Sequence, residues 1–498
     1  MAYDIEVMEH EHLSSHSRLT EEQQNAYQMI LDSVDNDDCG LFFLYGYGVT
    51  GKTFVWKTLA AAIRSRGEIV INVASSGIAA LLLTGGRTAH SQYAIPINVL
   101  EDSFCSIQPD SILVALLNKA KLIIWDEAPL MHIHCFEAFD RTIRDIIRSP
   151  NKDRTFGGKV IVFGGDFRQI LPVIQKGTRA KIVDASIHSS HLWKHCKVLR
   201  LTKNMRLIFG NDDNQRKELS EFADWILKIG ENKINEPNNG EDDVRFPRDV
   251  LLTPNSNHVE SIVSAIYPSL HANLHDGMFF QDKAILAPTN EEVDCINDHM
   301  LATIDSDERV YYSSDSLCPY EVNDNFSQQV YSPEVLNGLK VPGVPNHRIL
   351  LKKGVPIMLL RNIDQSKGLC NGTRLQVENL GDYTIEGRII TEKYFGKITH
   401  IPRMIVVPSD KKIAVKFQRR QFPISVYFAM TINKSQGQLL ASVGLFLRQP
   451  VFSHGQLYVA FSRVTSKKRL KVIILDNDGK NTDTTKNVVF KEVLQFLR

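Results

Sequence analysis

The chain has 498 residues, 43% of them hydrophobic, enough to bury a large core in more than one domain. Its 58 Lys and Arg against 57 Asp and Glu leave a formal net charge of +1, so any charge that binds nucleic acid has to be gathered locally by the fold. Cys39, Cys105, Cys135, Cys196, Cys295, Cys318 and Cys370 form no C-x-x-C pair and no metal-ligand spacing, the usage of a reducing compartment, and no stretch approaches the roughly 18 apolar residues of a membrane span. A soluble intracellular protein with no membrane partner is expected.

Residues 1–18 carry His10, His12 and His16 without a structured carboxylate or thiol framework, so they are expected to be a disordered tail rather than a metal site. Thr20 then caps a helix running to about residue 31, on which Gln23 either meets solvent or reaches an adenine edge. Residues 41–45 form an apolar strand that runs into GYGVTGKT, where Gly46, four spacers and Gly51-Lys52-Thr53 complete the phosphate-loop pattern. The amphipathic helix expected over 54–66 follows at once, stopped by Gly67. That order aims backbone N–H groups and a positive helix end at a polyphosphate, with the Lys52 ammonium on the β/γ-phosphates and the Thr53 hydroxyl on Mg²⁺.

Strands over 68–74, 121–126 and 159–163 alternate with helices over 77–83 and 136–147, the pattern of a parallel sheet whose ligands gather at the carboxyl ends of its strands. LIIWDE places Asp126 to hold Mg²⁺ and Glu127 to orient and deprotonate the attacking water. GGDFRQ brings Asp166, Arg168 and Gln169 to the same rim, where Gln169 is either a γ-phosphate sensor, the preferred reading, or a loop-stabilising hydrogen-bond partner. Residues 230–243 (GENKINEPNNGEDD) read as an exposed loop, 284–290 as a strand and 291–303 as a helix. From 305 to 416 helical periodicity gives way to short β-rich runs, a small antiparallel barrel inserted into a second core that resumes at 417 and closes with a strand over 470–475. Arginines beside Phe417 and Phe422 offer either a stacking surface for single strands or strand-edge packing. Asn362 and Asn371-Gly372 are either turn residues or DNA contacts.

The blocks GYGVTGKT, ASSGIAALLLTGGRTAHS (74–91), LIIWDEAPL, FGGDFRQILPV, LTKNMRL (201–207), ILAPTN, FAMTINKSQGQ (428–438) and LYVAFSRV (457–464) follow one another in this order. Together they resemble the Pif-type (petite integration frequency) DNA helicases of superfamily 1, above all the plant versions related to the helicase part of Helitron transposons. The resemblance implies an α/β fold: two RecA-like parallel-sheet P-loop cores with a small inserted SH3-like β-barrel. Its layout would be a tail over 1–18, a first core over 19–205, a second core over 206–304 and 417–498, and the barrel over 305–416. It implies ATP and Mg²⁺ as cofactors, 5′-to-3′ translocation on single-stranded DNA, and single-stranded and forked DNA as partners of a monomer. The setting it suggests is DNA repair, recombination or telomere maintenance in the nucleus, with the mitochondrion as the alternative. Carried over residue by residue, Gln23 reads adenine, and Gly46, Gly48, Gly51, Gln436 and Gly437 line the nucleotide. Gln169 couples hydrolysis to motion, and Arg206 and Arg463 reach the γ-phosphate. Thr88, His90, Thr289, Asn290, Asn371 and Lys434 face DNA.

Two positions depart from the family pattern. Val49 stands where the loop normally has a third glycine, and Asn433 where a histidine commonly precedes Lys-Ser-Gln-Gly. Glycine-rich phosphate loops use φ > 0, so mild strain is expected at Val49. The rival readings are a transposon-derived DNA-binding module with a decayed ATPase, and a P-loop ATPase that moves protein. No nickase or recombinase module is expected ahead of the helicase blocks.

Overall fold

The computed structural model describes residues 3–148, 150–205, 213–234, 241–254, 257–318, 332–391, 394–408 and 416–496. The chain divides into two compact units, one of residues 1–244, 451–462 and 486–498, the other of residues 245–450 and 463–485.

Six parallel strands organise the first unit: Leu41–Gly46 (β1), Ile69–Ala74 (β2), Arg87–Thr88 (β3), Ala120–Asp126 (β4), Val160–Gly165 (β5) and Lys197–Leu201 (β6). They lie in the order β3-β2-β4-β5-β1-β6. Both faces are covered, and the strands' near-continuous apolar runs follow from that. Along β1, β4 and β5 successive residues alternate between two cores. Phe43, Ile123, Trp125 and Phe163 point into one, and Phe42, Leu44, Leu122, Ile124 and Val162 into the other. Helices Glu21–Asp35 (α2), Lys52–Arg64 (α3), Gly77–Leu82 (α4), Ala89–Tyr93 (α5), Ile112–Lys119 (α6) and Ile133–Ile146 (α7) supply the crossovers and flanks. Because β5 separates β1 from β4, the phosphate loop, the Asp126-Glu127 pair and the turn after β5 all leave the same sheet edge side by side.

The expected disordered tail is instead largely helical: Ile5–His16 form α1. Asp4 caps it, accepting from the N–H of Glu6 at 3.1 Å and of Val7 at 3.3 Å, and Met8 and Ser15 are buried. The His12 ring meets the Tyr27 hydroxyl of α2 at 2.9 Å. The polar stretch expected as a loop over 230–243 begins at the end of helix Asp213–Gly230 and runs into strand Glu241–Arg245, with 235–240 outside the described residues. Residues 451–462 and 486–498, placed by the expected layout in the second core, belong to the first unit. Phe490 and Val493 join its core beside Phe43 and Phe167, and Glu492 takes a bidentate pair of bonds from Arg179 at 2.9 and 2.8 Å.

The second unit has its own parallel sheet, with strands Ala429–Thr431, Lys283–Ala287, Ser442–Leu447 and Leu470–Ile474 adjacent in that order. Helix His258–Ile266 crosses it so closely that a Cβ on Gly444 would lie 2.8 Å from Ile266. Buried Asn297, on helix Asn290–Thr303, fixes the edge strand by accepting from the N–H groups of Phe428 and Ala429 at 3.1 and 2.9 Å. Five antiparallel strands, Ile398–Pro402, Thr384–Ile389, Arg374–Leu380, Pro356–Leu359 and Ile424–Val426, make the β-rich part. They pack around Leu351, Ile357, Leu375, Ile385 and Phe422, and the part extends past residue 416 to Val426. Among the described residues no helix is long and apolar enough to cross a membrane.

Candidate nucleotide-binding site

The phosphate loop leaves β1 at Gly46 and enters α3 at Lys52, with Gly51 at φ 83° making the left-handed step that lets the helix begin. The Lys52 ammonium, nearly buried, folds back onto the Gly46 carbonyl across the mouth of the loop. Val49 has φ 77°, the left-handed region that a β-branched residue enters only at a cost. Its carbonyl is pinned by the Met205 N–H at 3.0 Å, and the loop is tightened by Thr50, whose hydroxyl donates to the Tyr47 carbonyl at 2.9 Å. Gln23 is buried, which removes the solvent-facing alternative. Its Oε1 accepts from Thr20 N at 3.0 Å as part of a capping box, and its Nε2 donates to the Thr50 carbonyl at 3.0 Å. The carboxamide thus splints α2 to the phosphate loop.

At the end of β4, the Asp126 carboxylate accepts from the Glu127 N–H at 3.0 Å. Glu127 itself sits at φ 53°, ψ 38°, a left-handed conformation that turns its side chain away from the strand's alternation. A Cβ on Gly164 of β5 would lie 2.5 Å from the Trp56 ring and 3.0 Å from the Asp126 carboxylate, so glycine keeps this stretch of β5 clear beside both. Asp126 and the Thr53 hydroxyl are hard oxygen donors suited to Mg²⁺, which takes one or two protein oxygens and completes its shell with phosphate and water. Among the described residues no group of three or more His, Cys, Asp or Glu side chains could hold a metal ion. The turn after β5 is less exposed than a rim position would be. Asp166 is fully buried, and Arg168 and Gln169 nearly so. The Arg168 guanidinium donates twice to Glu231, at 3.1 and 2.6 Å, and lies over the rings of Tyr45 and Tyr47.

Two family models match this chain: PIF1-like helicase over residues 18–240, and DNA helicase Pif1, 2B domain, over residues 334–380. Over these two stretches the chain is similar to the PIF1-like helicases. It is 26% identical to the human ATP-dependent DNA helicase PIF1 over 471 residues, 93% of this chain and 62% of the human protein's length. A Bacteroides Pif1 bound to single-stranded DNA superposes with a TM-score of 0.65 at 21% identity, covering 96% of each chain. A structure of two coordinating Pif1 helicases at forked double-stranded DNA gives 0.65 at 22%, again covering 96% of each. The chain spans about three fifths of the length of the vertebrate relatives, 59% of the Xenopus laevis ATP-dependent DNA helicase PIF1 and 62% of the human one.

The other residues singled out by the PIF1-like resemblance fall in several places. Arg206 lies outside the described residues. Arg463 stands at the head of a segment of the second unit. It is nearly buried and donates to the carbonyls of Ser435 and Gln438 at 3.2 and 3.0 Å, folding over the turn that carries Lys434, Gln436 and Gly437. Gly437 takes φ 78° there. Thr88 ends β3 and His90 lies in α5, half-buried, with burial lowering its imidazole pKa. Thr289 caps helix Asn290–Thr303, its hydroxyl engaged with Glu292 at 3.1 Å, and Asn290 is that helix's first residue. Asn371 belongs to a turn: its N–H donates to the Asn362 carboxamide at 2.8 Å, and Gly372 follows at φ 91°.

The stacking surface at Phe417 and Phe422 does not form, because both rings are fully buried. Arg419 between them is buried too, donating to the Asp315 carboxylate at 2.6 Å and to the carbonyls of Leu336 and Pro345 at 2.9 and 3.0 Å. It is a structural clasp, the strand-packing alternative. Sequence reasoning missed Met205, which holds the Val49 carbonyl, and the His454–Tyr458 stretch, which holds the turn after β5. For the latter the available signal was Tyr458 inside the ordered LYVAFSRV block, with His454 three residues ahead of it.

Proposed function

We propose that this chain is an ATP-dependent DNA helicase that translocates 5′-to-3′ on single-stranded DNA and unwinds forked duplexes. The observation that carries the reading is the convergence of the phosphate loop, the Asp126-Glu127 pair and the Asp166–Gln169 turn on one sheet edge, in the order β4-β5-β1, within a PIF1-like chain. Lys52 moves its ammonium from the Gly46 carbonyl to the β/γ-phosphates. The N–H groups at the start of α3, with Gly46, Gly48 and Gly51, cradle the phosphates. Mg²⁺, when bound through Thr53 and Asp126, neutralises the phosphate charge. Glu127 accepts the proton of the attacking water, Gln169 senses the γ-phosphate, and Arg206 and Arg463 stabilise the charge that spreads in the transition state. Gln23 meets the adenine, and Gln436 and Gly437 line the nucleotide from their own turn. Thr88, His90, Thr289, Asn290, Asn371 and Lys434 contact the strand.

Relatives whose names and structures describe DNA helicases, single-stranded DNA and forked DNA support this choice of partners. The chain acts as a monomer in DNA repair, recombination or telomere maintenance, in the nucleus or alternatively the mitochondrion. Tailed duplexes test the reading. With ATP and Mg²⁺ a 5′-tailed duplex is unwound and a 3′-tailed one is not; unwinding of the 3′-tailed substrate alone would overturn the direction, and unwinding of neither would overturn the activity.

A further inference from the structure

The turn Asp166-Phe167-Arg168-Gln169 is gripped by a stretch of chain nearly 300 residues away in sequence that packs within the same unit. The Gln169 N–H donates to the Asp166 carbonyl at 3.1 Å, so the placement of Asp166 fixes where Gln169 starts. The Asp166 carboxylate, fully buried, accepts from the Arg168 N–H at 3.1 Å and from the Tyr458 hydroxyl at 2.6 Å. That second bond is a short charge-assisted one in a place water does not reach. The carbonyl of Phe167 accepts from His454 Nε2 at 2.8 Å. His454 Nδ1 accepts from the Phe490 N–H at 2.8 Å, which fixes the tautomer with the proton on Nε2. Between these two side chains, Gly455 lies so close to the turn that a Cβ there would be 2.3 Å from the Arg168 carbonyl and 2.9 Å from the backbone of Gln169. The Tyr458 ring in turn rests on Gly230, where a Cβ would meet it at 2.6 Å.

We infer that Tyr458 and His454 are positioning residues for Gln169: residues 454–458 hold the sensor turn by its carboxylate, its carbonyl and its backbone. This inference rests on the helicase reading and extends it. Tyr458 lies on helix Gln456–Ser462, and the next residue in the chain is Arg463. The placement of the sensor is thereby made to depend on the helix that leads directly into a proposed γ-phosphate arginine. A shift of that helix pulls on Asp166 through a bond that has no water to replace it.

The test is ATP hydrolysis stimulated by single-stranded DNA in wild type, Tyr458→Phe, Gln169→Ala and the double variant. Tyr458→Phe keeps the ring and its packing and deletes only the hydroxyl. Expected is a fall in kcat of at least about tenfold with KM for ATP within about twofold, and no further loss when the change is added to Gln169→Ala, since both remove the same function. His454→Gln, which retains one donor for the Phe167 carbonyl, falls less than His454→Ala. A Tyr458→Phe enzyme with wild-type kcat, or losses that multiply with those of Gln169→Ala, overturns the inference while leaving the helicase reading intact. A wild-type chain without DNA-stimulated hydrolysis overturns both.

Discussion

Val49 stands at φ 77° in the loop that has to receive the phosphates. A β-branched residue there costs on the order of 1–2 kcal/mol, about a factor of ten in a binding constant. Val49→Gly should therefore tighten nucleotide binding by up to about tenfold, read by titrating a fluorescent ATP analogue; unchanged or weaker binding would show that the Met205 bond and local packing already offset the strain. The residues of the chemistry separate in the same way. Lys52→Ala should weaken nucleotide binding, whereas Glu127→Gln should bind ATP normally and lose turnover by at least about 100-fold, the scale of removing a general base. Near-wild-type hydrolysis by Glu127→Gln would take the left-handed Glu127 out of the reaction. At this scale the phosphate-loop residues and the acid pair were legible because motif spacing and strand context are local properties. The buried clasp of Arg419 was not: whether an arginine faces a groove or donates to the Leu336 and Pro345 carbonyls depends on chain some 75 to 85 residues away.

Elements were legible where hydrophobic period carried them. Strands β1, β2, β4 and β5 start within a residue of the positions their apolar runs predict, whereas α7 begins three residues early, at Ile133, where His132 caps it. Helix α1 has no such stripe, although it packs along α3 and its His12 and His16 rings meet Tyr27, so composition alone made it look like a tail. The return of residues 486–498 into the first unit was equally silent, because a short segment holding Phe490 and Val493 fits any core. That segment has a pH signature through His454. Burial pulls its imidazole pKa down to about 4 from an ordinary 6.5, against the opposing pull of the Phe167 carbonyl and the carboxylates of Asp166 and Glu492. The unfolded chain therefore takes up a proton below about pH 6.5 that the folded chain refuses until about pH 4. Stability is full above the unfolded value and falls across that window, by roughly 3 kcal/mol in all. Urea unfolding followed from pH 7 to pH 4 should show His454→Gln with a flatter profile than wild type; parallel profiles would mean that His454 does not carry the dependence.

On the scale of the whole molecule, two parallel sheets and an antiparallel β-rich part were legible because strand–helix alternation and short β runs separated by Gly, Asn and Asp are different signals. Their partition was not. The LYVAFSRV block reads as one motif, yet the structure divides it between units at Ser462 and Arg463. In the proposed helicase, ATP hydrolysis on the first unit's sheet edge drives movement along a DNA strand, so the two events have to be coupled. The most direct measurement is steady-state ATP hydrolysis by the wild-type chain with and without a single-stranded oligonucleotide, with Glu127→Gln as the blank. Hydrolysis is expected to be stimulated at least about tenfold by the strand and to be absent from Glu127→Gln. A rate that is the same with and without DNA, or no hydrolysis in either case, would contradict the helicase reading.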